Sequence, residues 1–97
     1  MDPKLTVLEH LSYITECLAQ ECRGEAKTVI ANLANKLKSD KHLEFHGSQN
    51  LAESLDEAYL LLMHCKDRDA INIVCRKSRS LWEALASQHN SINWRTL

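Results

Sequence analysis

The chain has 97 residues, which suits a single domain, since domains commonly hold about 100 to 150 residues. Hydrophobic residues make up 44% of it and charged residues 26%, a balance typical of globular proteins that excludes wholesale disorder. The formal net charge of −1 excludes the broad basic surface that most nucleic-acid-binding proteins carry. Any basic surface must therefore be local.

The composition predicts an all-α protein. Only two glycines and one proline are present, and these are the residues on which tight turns and hairpins depend. Leucine, alanine, glutamate and lysine are abundant, and they favour helix over strand. Because most predicted links are short, consecutive helices should pack antiparallel. We therefore expect a single-domain, four- to five-helix antiparallel bundle.

The first two helices are predicted from caps and from apolar spacing. Asp2 before Pro3 is typical of a helix start, because the carboxylate caps free amides and proline fits the first turn. Apolar residues then recur every three or four positions, which predicts a helix over 3–22. Gly24 indicates a short turn, and a second amphipathic helix follows over 25–38.

The longest predicted connection separates the second and third helices. It covers 39–49, and within it Leu43 and Phe45 are expected to point inward. Asn50 is followed three residues later by a glutamate, a spacing in which the two side chains cap the start of a helix. The third helix is accordingly predicted over 51–65.

The fourth helix is predicted over 70–89, with Asp67 or Asp69 as its cap. A further short helix over 91–97 would place Trp94 against the bundle. The apolar face of the fourth helix is expected to combine five core residues, namely Ile71, Val74, Leu81, Trp82 and Leu85.

The four cysteines are predicted to be free thiols. Nothing at the N-terminus resembles a secretory signal, so a reducing, intracellular location in the cytoplasm or nucleus is expected. Their spacing does not match compact zinc motifs, and His64 and Cys65 are adjacent and diverge on a helix. The cysteines are interpreted as small buried hydrophobic residues: Cys17, Cys22, Cys65 and Cys75. No metal and no cofactor are expected.

No pattern predicts an enzyme or a small-molecule substrate. The glycine-rich phosphate loops and the nucleophile elbow are missing from the sequence, and adjacent His64 and Cys65 do not form an oriented catalytic pair. The longest wholly apolar run covers only 58–63, far short of the roughly 18 residues that a membrane span needs.

Two features predict contact with a partner. The third helix becomes apolar all round near its end, which is typical of a central or partner-covered helix. A basic cluster begins in the break before the fourth helix and continues on that helix; it consists of Lys66, Arg68, Arg76, Lys77 and Arg79. We favour an acidic protein surface as its complement, although the acidic residues of the third helix offer an internal one. The candidate partner-binding residues are Leu60, Leu61, Met63, Arg76, Lys77, Arg79 and Trp94.

The functional hypothesis is a non-catalytic protein-interaction domain of the adaptor, scaffold or signalling type. One alternative is a membrane- or nucleic-acid-contacting bundle that uses the basic side of the fourth helix, where binding would be salt-sensitive. A second alternative is a homodimerisation domain.

The order of elements resembles one known class of helical bundle. A long helix pair with a cysteine is followed by a Leu-Asp-Glu-Ala helix at 55–58 and a Leu-Trp-Glu-Ala-Leu helix at 81–85. This order resembles HeLo-type four-helix bundles over most of residues 8–86, through general helical residues without a specific motif. The resemblance implies a domain that precedes a pseudokinase or immune-receptor module and disturbs membranes, whereas the near-neutral charge argues against membrane attack. Six-helix death-fold adaptors resemble the chain no better, and we assign no family from the sequence.

Overall fold

The computed structural model describes the backbone of residues 2–96 and the side chains of residues 2–87. All regular structure in this part of the chain is helical, which confirms the predicted all-α bundle. The elements are α1 (Pro3–Ala19), α2 (Arg23–Ser39), a 3-10 turn (Lys41–Leu43), α3 (Ser48–Met63) and α4 (Asp67–Thr96).

The four helices run antiparallel to their neighbours around one core. α1 packs beside α2 and α4, and α3 packs beside the same two helices. Tyr13, late in α1, bonds to Glu25 at the start of α2, and Asn50, early in α3, bonds to Lys77 well inside α4. These pairs show the reversal of direction that short links impose.

The core consists of one apolar stripe from each helix, at the spacing of three and four that brings side chains onto one face. The main buried residues are Val7, Leu11, Ile14 and Leu18 of α1, Ala26, Ile30, Leu33 and Leu37 of α2, Leu51, Leu55, Ala58 and Leu62 of α3, and Ala70, Val74, Leu81 and Leu85 of α4. Leu43 and Phe45 pack against this core from the long connection, as the sequence predicted. Burying each large side chain contributes about 1.5–3 kcal/mol.

The link between α1 and α2 lies earlier than the sequence indicated. α1 begins as predicted, with Asp2 accepting a bond from the Lys4 amide at 2.9 Å, but it ends at residue 19 instead of 22. Glu21 takes the left-handed conformation with φ 62°, and the Cys22 amide donates to the Cys17 carbonyl at 2.8 Å. This hydrogen bond satisfies one of the last carbonyls of the helix. The left-handed position that allows it is usually occupied by glycine. The predicted break at residue 24 is wrong, because α2 already begins at residue 23.

The link between α3 and α4 repeats this arrangement. Cys65 has φ 60°, and the Lys66 amide donates to the Leu61 carbonyl at 2.8 Å. α3 therefore ends at residue 63 and not at 65, and α4 begins at 67 and not at 70. Asp67 and Asp69, each predicted as a possible cap, lie instead inside the first turn of α4. Negative charge there interacts favourably with the helix dipole.

The start of α3 also differs from the prediction. Gly47, with φ 93°, occupies the capping position, and no side chain caps the helix. The Ser48 amide donates to the Phe45 carbonyl at 3.0 Å, so the chain turns into helix three residues before the predicted start. Asn50 is therefore not a cap; its side chain accepts a hydrogen bond from Lys77.

α4 is the longest element, with 30 residues and a length of about 45 Å. No glycine or proline interrupts it, so the segment predicted as a separate helix over 91–97 continues α4 as far as Thr96. The predicted docking of Trp94 lies outside the described side chains. Within the described residues, no helix has the length and apolarity required to cross a membrane.

Candidate functional site

The apolar end of α3 divides into two parts. Leu60 and Met63 are each 55% exposed and share the outer side of the helix. Leu61 is partly buried and packs against the core. The predicted apolar surface therefore reduces to Leu60 and Met63, which we call the α3 pair.

A shallow groove of about 330 Å³ lies beside the α3 pair, between α2 and α3. Its walls are formed by Ala31, Asn35, Asp56, Tyr59 and Leu60. At its edge, the Lys38 ammonium contacts the Asp56 carboxylate at 2.6 Å, so these two charges already neutralise each other. The groove is apolar and electrically balanced.

The predicted basic cluster does not lie on one face. Lys77 is partly buried and donates to the Asn50 side-chain oxygen at 3.0 Å, which turns it toward α3. Arg76 and Arg79 are exposed, and neither forms an ion pair or hydrogen bond with any described residue. The acidic residues of α3 therefore do not neutralise these two arginines within the described part of the fold.

The structure separates the α3 pair from Arg76, Lys77 and Arg79 of α4. Lys77 lies opposite Asn50, whereas Leu60 lies about 15 Å further along the axis of α3, since each residue rises 1.5 Å. The predicted interface is thus two surfaces on different helices and at different heights.

Trp82 is a functional candidate that the sequence placed in the core. It is 60% exposed, while its neighbours Leu81 and Leu85 are 8% and 6% exposed. Successive helical residues are rotated by about 100°, which places Trp82 at the side of the stripe whose centre is set by Val74, Leu81 and Leu85. Arg79, one turn earlier, lies on the same outer side. The spacing of the buried residues of α4 is the sequence signal that could have identified Trp82 as exposed.

A polar contact joins the two helix links at one end of the bundle. The Arg23 guanidinium donates two hydrogen bonds to one Asp67 carboxylate oxygen, at 3.0 and 2.9 Å, and lies 3.7 Å from the Cys65 sulfur. The hydrogen bond to Asp67 raises the pKa of Arg23, with smaller contributions from the charges of Asp67 and Cys65. The contact fixes the start of α4 against the start of α2.

A second polar contact borders a groove of about 460 Å³ between α1 and α2. The Tyr13 hydroxyl, at this groove, donates to the Glu25 carboxylate. This hydrogen bond raises the pKa of Tyr13, and Cys17 adds to the shift.

The interpretation of the cysteines as buried residues is correct only for Cys17. Cys22, Cys65 and Cys75 are exposed, because the first two lie in helix links and the third on the outer side of α4. All four are free thiols, as predicted. Among the side chains of residues 2–87, no group of three His, Cys, Asp or Glu residues is close enough to hold a metal ion.

Comparison of the chain with known protein families, with curated proteins and with solved structures finds no match in any of the three.

Proposed function

We propose that the chain is a non-catalytic interaction domain that recruits an acidic segment of a partner protein through the outer side of α4. The residues that carry this role are Arg76, Arg79 and Trp82, which we call the α4 face. The observation behind the proposal is a tryptophan that is 60% exposed beside two arginines without partners in the described structure. Tryptophan and arginine are the residue types enriched at the energetic centres of protein interfaces.

The two arginines determine the charge of the partner. A guanidinium presents several donors in a plane and binds a carboxylate through two parallel hydrogen bonds. Because no described acidic side chain engages Arg76 or Arg79, both are available to carboxylates of another molecule. Pairs at the rim of such an interface raise the association rate and weaken with salt.

Trp82 supplies the apolar part of the contact. A tryptophan buries up to about 250 Å², so the exposed 60% corresponds to about 150 Å² that a partner can cover. At about 25 cal/mol per Å², this burial favours binding by about 4 kcal/mol before the cost of association. The matching partner segment therefore combines acidic residues with an apolar patch.

A peptide-display selection against the full chain tests the proposal. We expect the enriched peptides to combine aspartate or glutamate with an aliphatic or aromatic residue. Trp82→Ala is expected to lower the affinity for a purified selected peptide at least tenfold. The double variant Arg76→Ala with Arg79→Ala is expected to reduce the salt dependence of peptide binding. Lys41→Ala removes an exposed cation from the connection between α2 and α3 and serves as the matched control.

Two results would overturn this proposal. One is a set of selected peptides without acidic residues, or with binding that both α4 variants, Trp82→Ala and the double arginine variant, leave unchanged. The other is binding of anionic vesicles or an oligonucleotide, with the same dependence on Arg76 and Arg79, in place of peptides. The second result would favour the membrane or nucleic-acid alternative.

We infer self-association through the α3 pair as a second candidate function. Its support is the exposure of Leu60 and Met63 beside a groove whose Lys38 and Asp56 are already paired. Such a neutral apolar surface suits contact with an identical copy. Two copies of the α4 face would instead repel each other, because both are positively charged. Light scattering over a concentration series should show a dimer that Leu60→Arg dissociates. A monomeric mass throughout would exclude it.

A further inference from the structure

A third surface feature is a cavity of about 320 Å³ at the end of the bundle where α1 and α3 begin. The start of α1, the long connection, the first turn of α3 and the middle of α4 form its walls, and it is open to solvent on one side. Its lining residues are Lys4, Phe45, His46, Gly47, Asn50, Leu51, Lys77, Ser80, Leu81 and Ala84. Neither the α4 face nor the α3 pair contributes to it.

The apolar part of the lining comes from the core and from the connection. Leu51 and Leu81 are buried members of the core, and Phe45 packs against that core from outside. Ala84 is small and leaves room between α4 and the connection. A ligand in this cavity would therefore place its apolar body against the edge of the hydrophobic core.

The polar part of the lining is positively charged. Lys4 and Lys77 are both partly buried at the cavity, and none of its described lining residues is acidic. The ammonium of Lys77 donates to Asn50 at 3.0 Å, which uses one of its three protons and holds it in place. Lys4 has no acidic partner among the described side chains. Two lysines in an acid-free cavity attract an anion.

We infer that this cavity binds a small amphipathic carboxylate. The carboxylate would contact the ammonium groups of Lys77 and Lys4, and the hydrocarbon part would cover Phe45 and Leu81. A volume of about 320 Å³ accommodates about ten non-hydrogen atoms, at about 30 Å³ for each water-sized group. This is the size of a medium-chain fatty acid. The inference is independent of the proposed partner, which contacts other residues.

The probe is octanoate, which has about ten non-hydrogen atoms and one negative charge. In two-dimensional NMR spectra of the full chain, it should shift the amides around the cavity with a dissociation constant of about 1 mM, as expected for a ligand of this size. The neutral alcohol 1-octanol, which has the same chain length without the charge, should bind at least tenfold more weakly. Octyl phosphate distinguishes a phosphate ester from a carboxylate as the preferred headgroup.

Variants separate the two halves of the site. Lys77→Met should lower the affinity for octanoate at least tenfold and leave the affinity for octanol unchanged. Lys36→Met on α2 is the matched control. Ala84→Phe fills the cavity from an exposed position, so it should abolish both ligands without unfolding the chain. Circular dichroism verifies the fold of each variant.

The inference is overturned if octanoate shifts no cavity amides below its micelle range. It is equally overturned if octanol binds as well as octanoate, or if octyl phosphate binds at least tenfold more tightly than octanoate. Retention of octanoate by a folded Ala84→Phe variant would also place the ligand elsewhere.

Discussion

Replacement of Glu21 by glycine should stabilise the protein. Glu21 has φ 62° in the link after α1, and the side chain is exposed. A left-handed conformation costs a residue with a Cβ atom about 1–2 kcal/mol, because the Cβ approaches the following carbonyl oxygen. Glycine has no Cβ and adopts this conformation without that cost.

The expected magnitude is the difference of two effects. Glycine removes the conformational cost of about 1–2 kcal/mol, but its more flexible unfolded chain opposes folding by about 0.4–1 kcal/mol. The free energy of unfolding should therefore rise by about 0.5–1 kcal/mol. For a domain of this size, the melting temperature should rise by about 2–8 °C.

Urea and thermal unfolding followed by circular dichroism measure this change. The control is Glu53→Gly, the same chemical change at an exposed position inside α3, where glycine should reduce stability by about 0.5–1 kcal/mol. The two variants should thus change stability in opposite directions. A Glu21→Gly variant as destabilised as Glu53→Gly would refute the left-handed end of α1.

Further outcomes follow from burial and from hydrogen bonding. Leu55→Ala, in the core, should reduce the free energy of unfolding by about 3–5 kcal/mol, whereas Leu60→Ala, at a side chain 55% exposed, should reduce it by less than about 1 kcal/mol; equal losses in urea unfolding would contradict this difference. The hydrogen bond to Glu25 raises the pKa of Tyr13, so this hydrogen bond stabilises the fold fully below pH 10. The stabilisation is lost as the pH rises through the raised pKa. In a Tyr59→Phe variant, the tyrosinate absorbance of Tyr13 should therefore appear at a higher pH than that of free tyrosine. Adding Glu25→Gln should move this titration to lower pH. An unchanged titration in that variant would exclude the bond.

Much of the fold was predictable from local sequence. The scarcity of glycine and proline and the apolar spacing predicted the all-α bundle, and they located the body of each helix. The helix ends were less predictable. Glu21 and Cys65 terminate helices through hydrogen bonds between backbone groups, and neither residue type is a usual signal for this geometry. The energy of neighbouring packed helices outweighs the local preference at these two positions.

The candidate site was predictable only in its residue types. The sequence identified Arg76 and Arg79 as candidate partner-binding residues, but it grouped them with Lys77, which the packing of α4 against α3 turns toward Asn50. Trp82 was assigned to the core because of its apolar character. The exposed orientation follows from the rotation between Leu81 and Trp82, so it required the register of the buried stripe to be known.

α4 presents three sides that point in different directions. Leu81 and neighbouring apolar residues face the core, Lys77 faces the cavity beside α3, and Arg79 and Trp82 face away from the bundle. Side chains on different sides of a helix share few contacts, so their substitutions should act independently. The effect of Trp82→Ala on partner binding can therefore be measured without loss of the cavity, and Lys77→Met can test the cavity without altering the α4 face. The two proposals stand or fall separately.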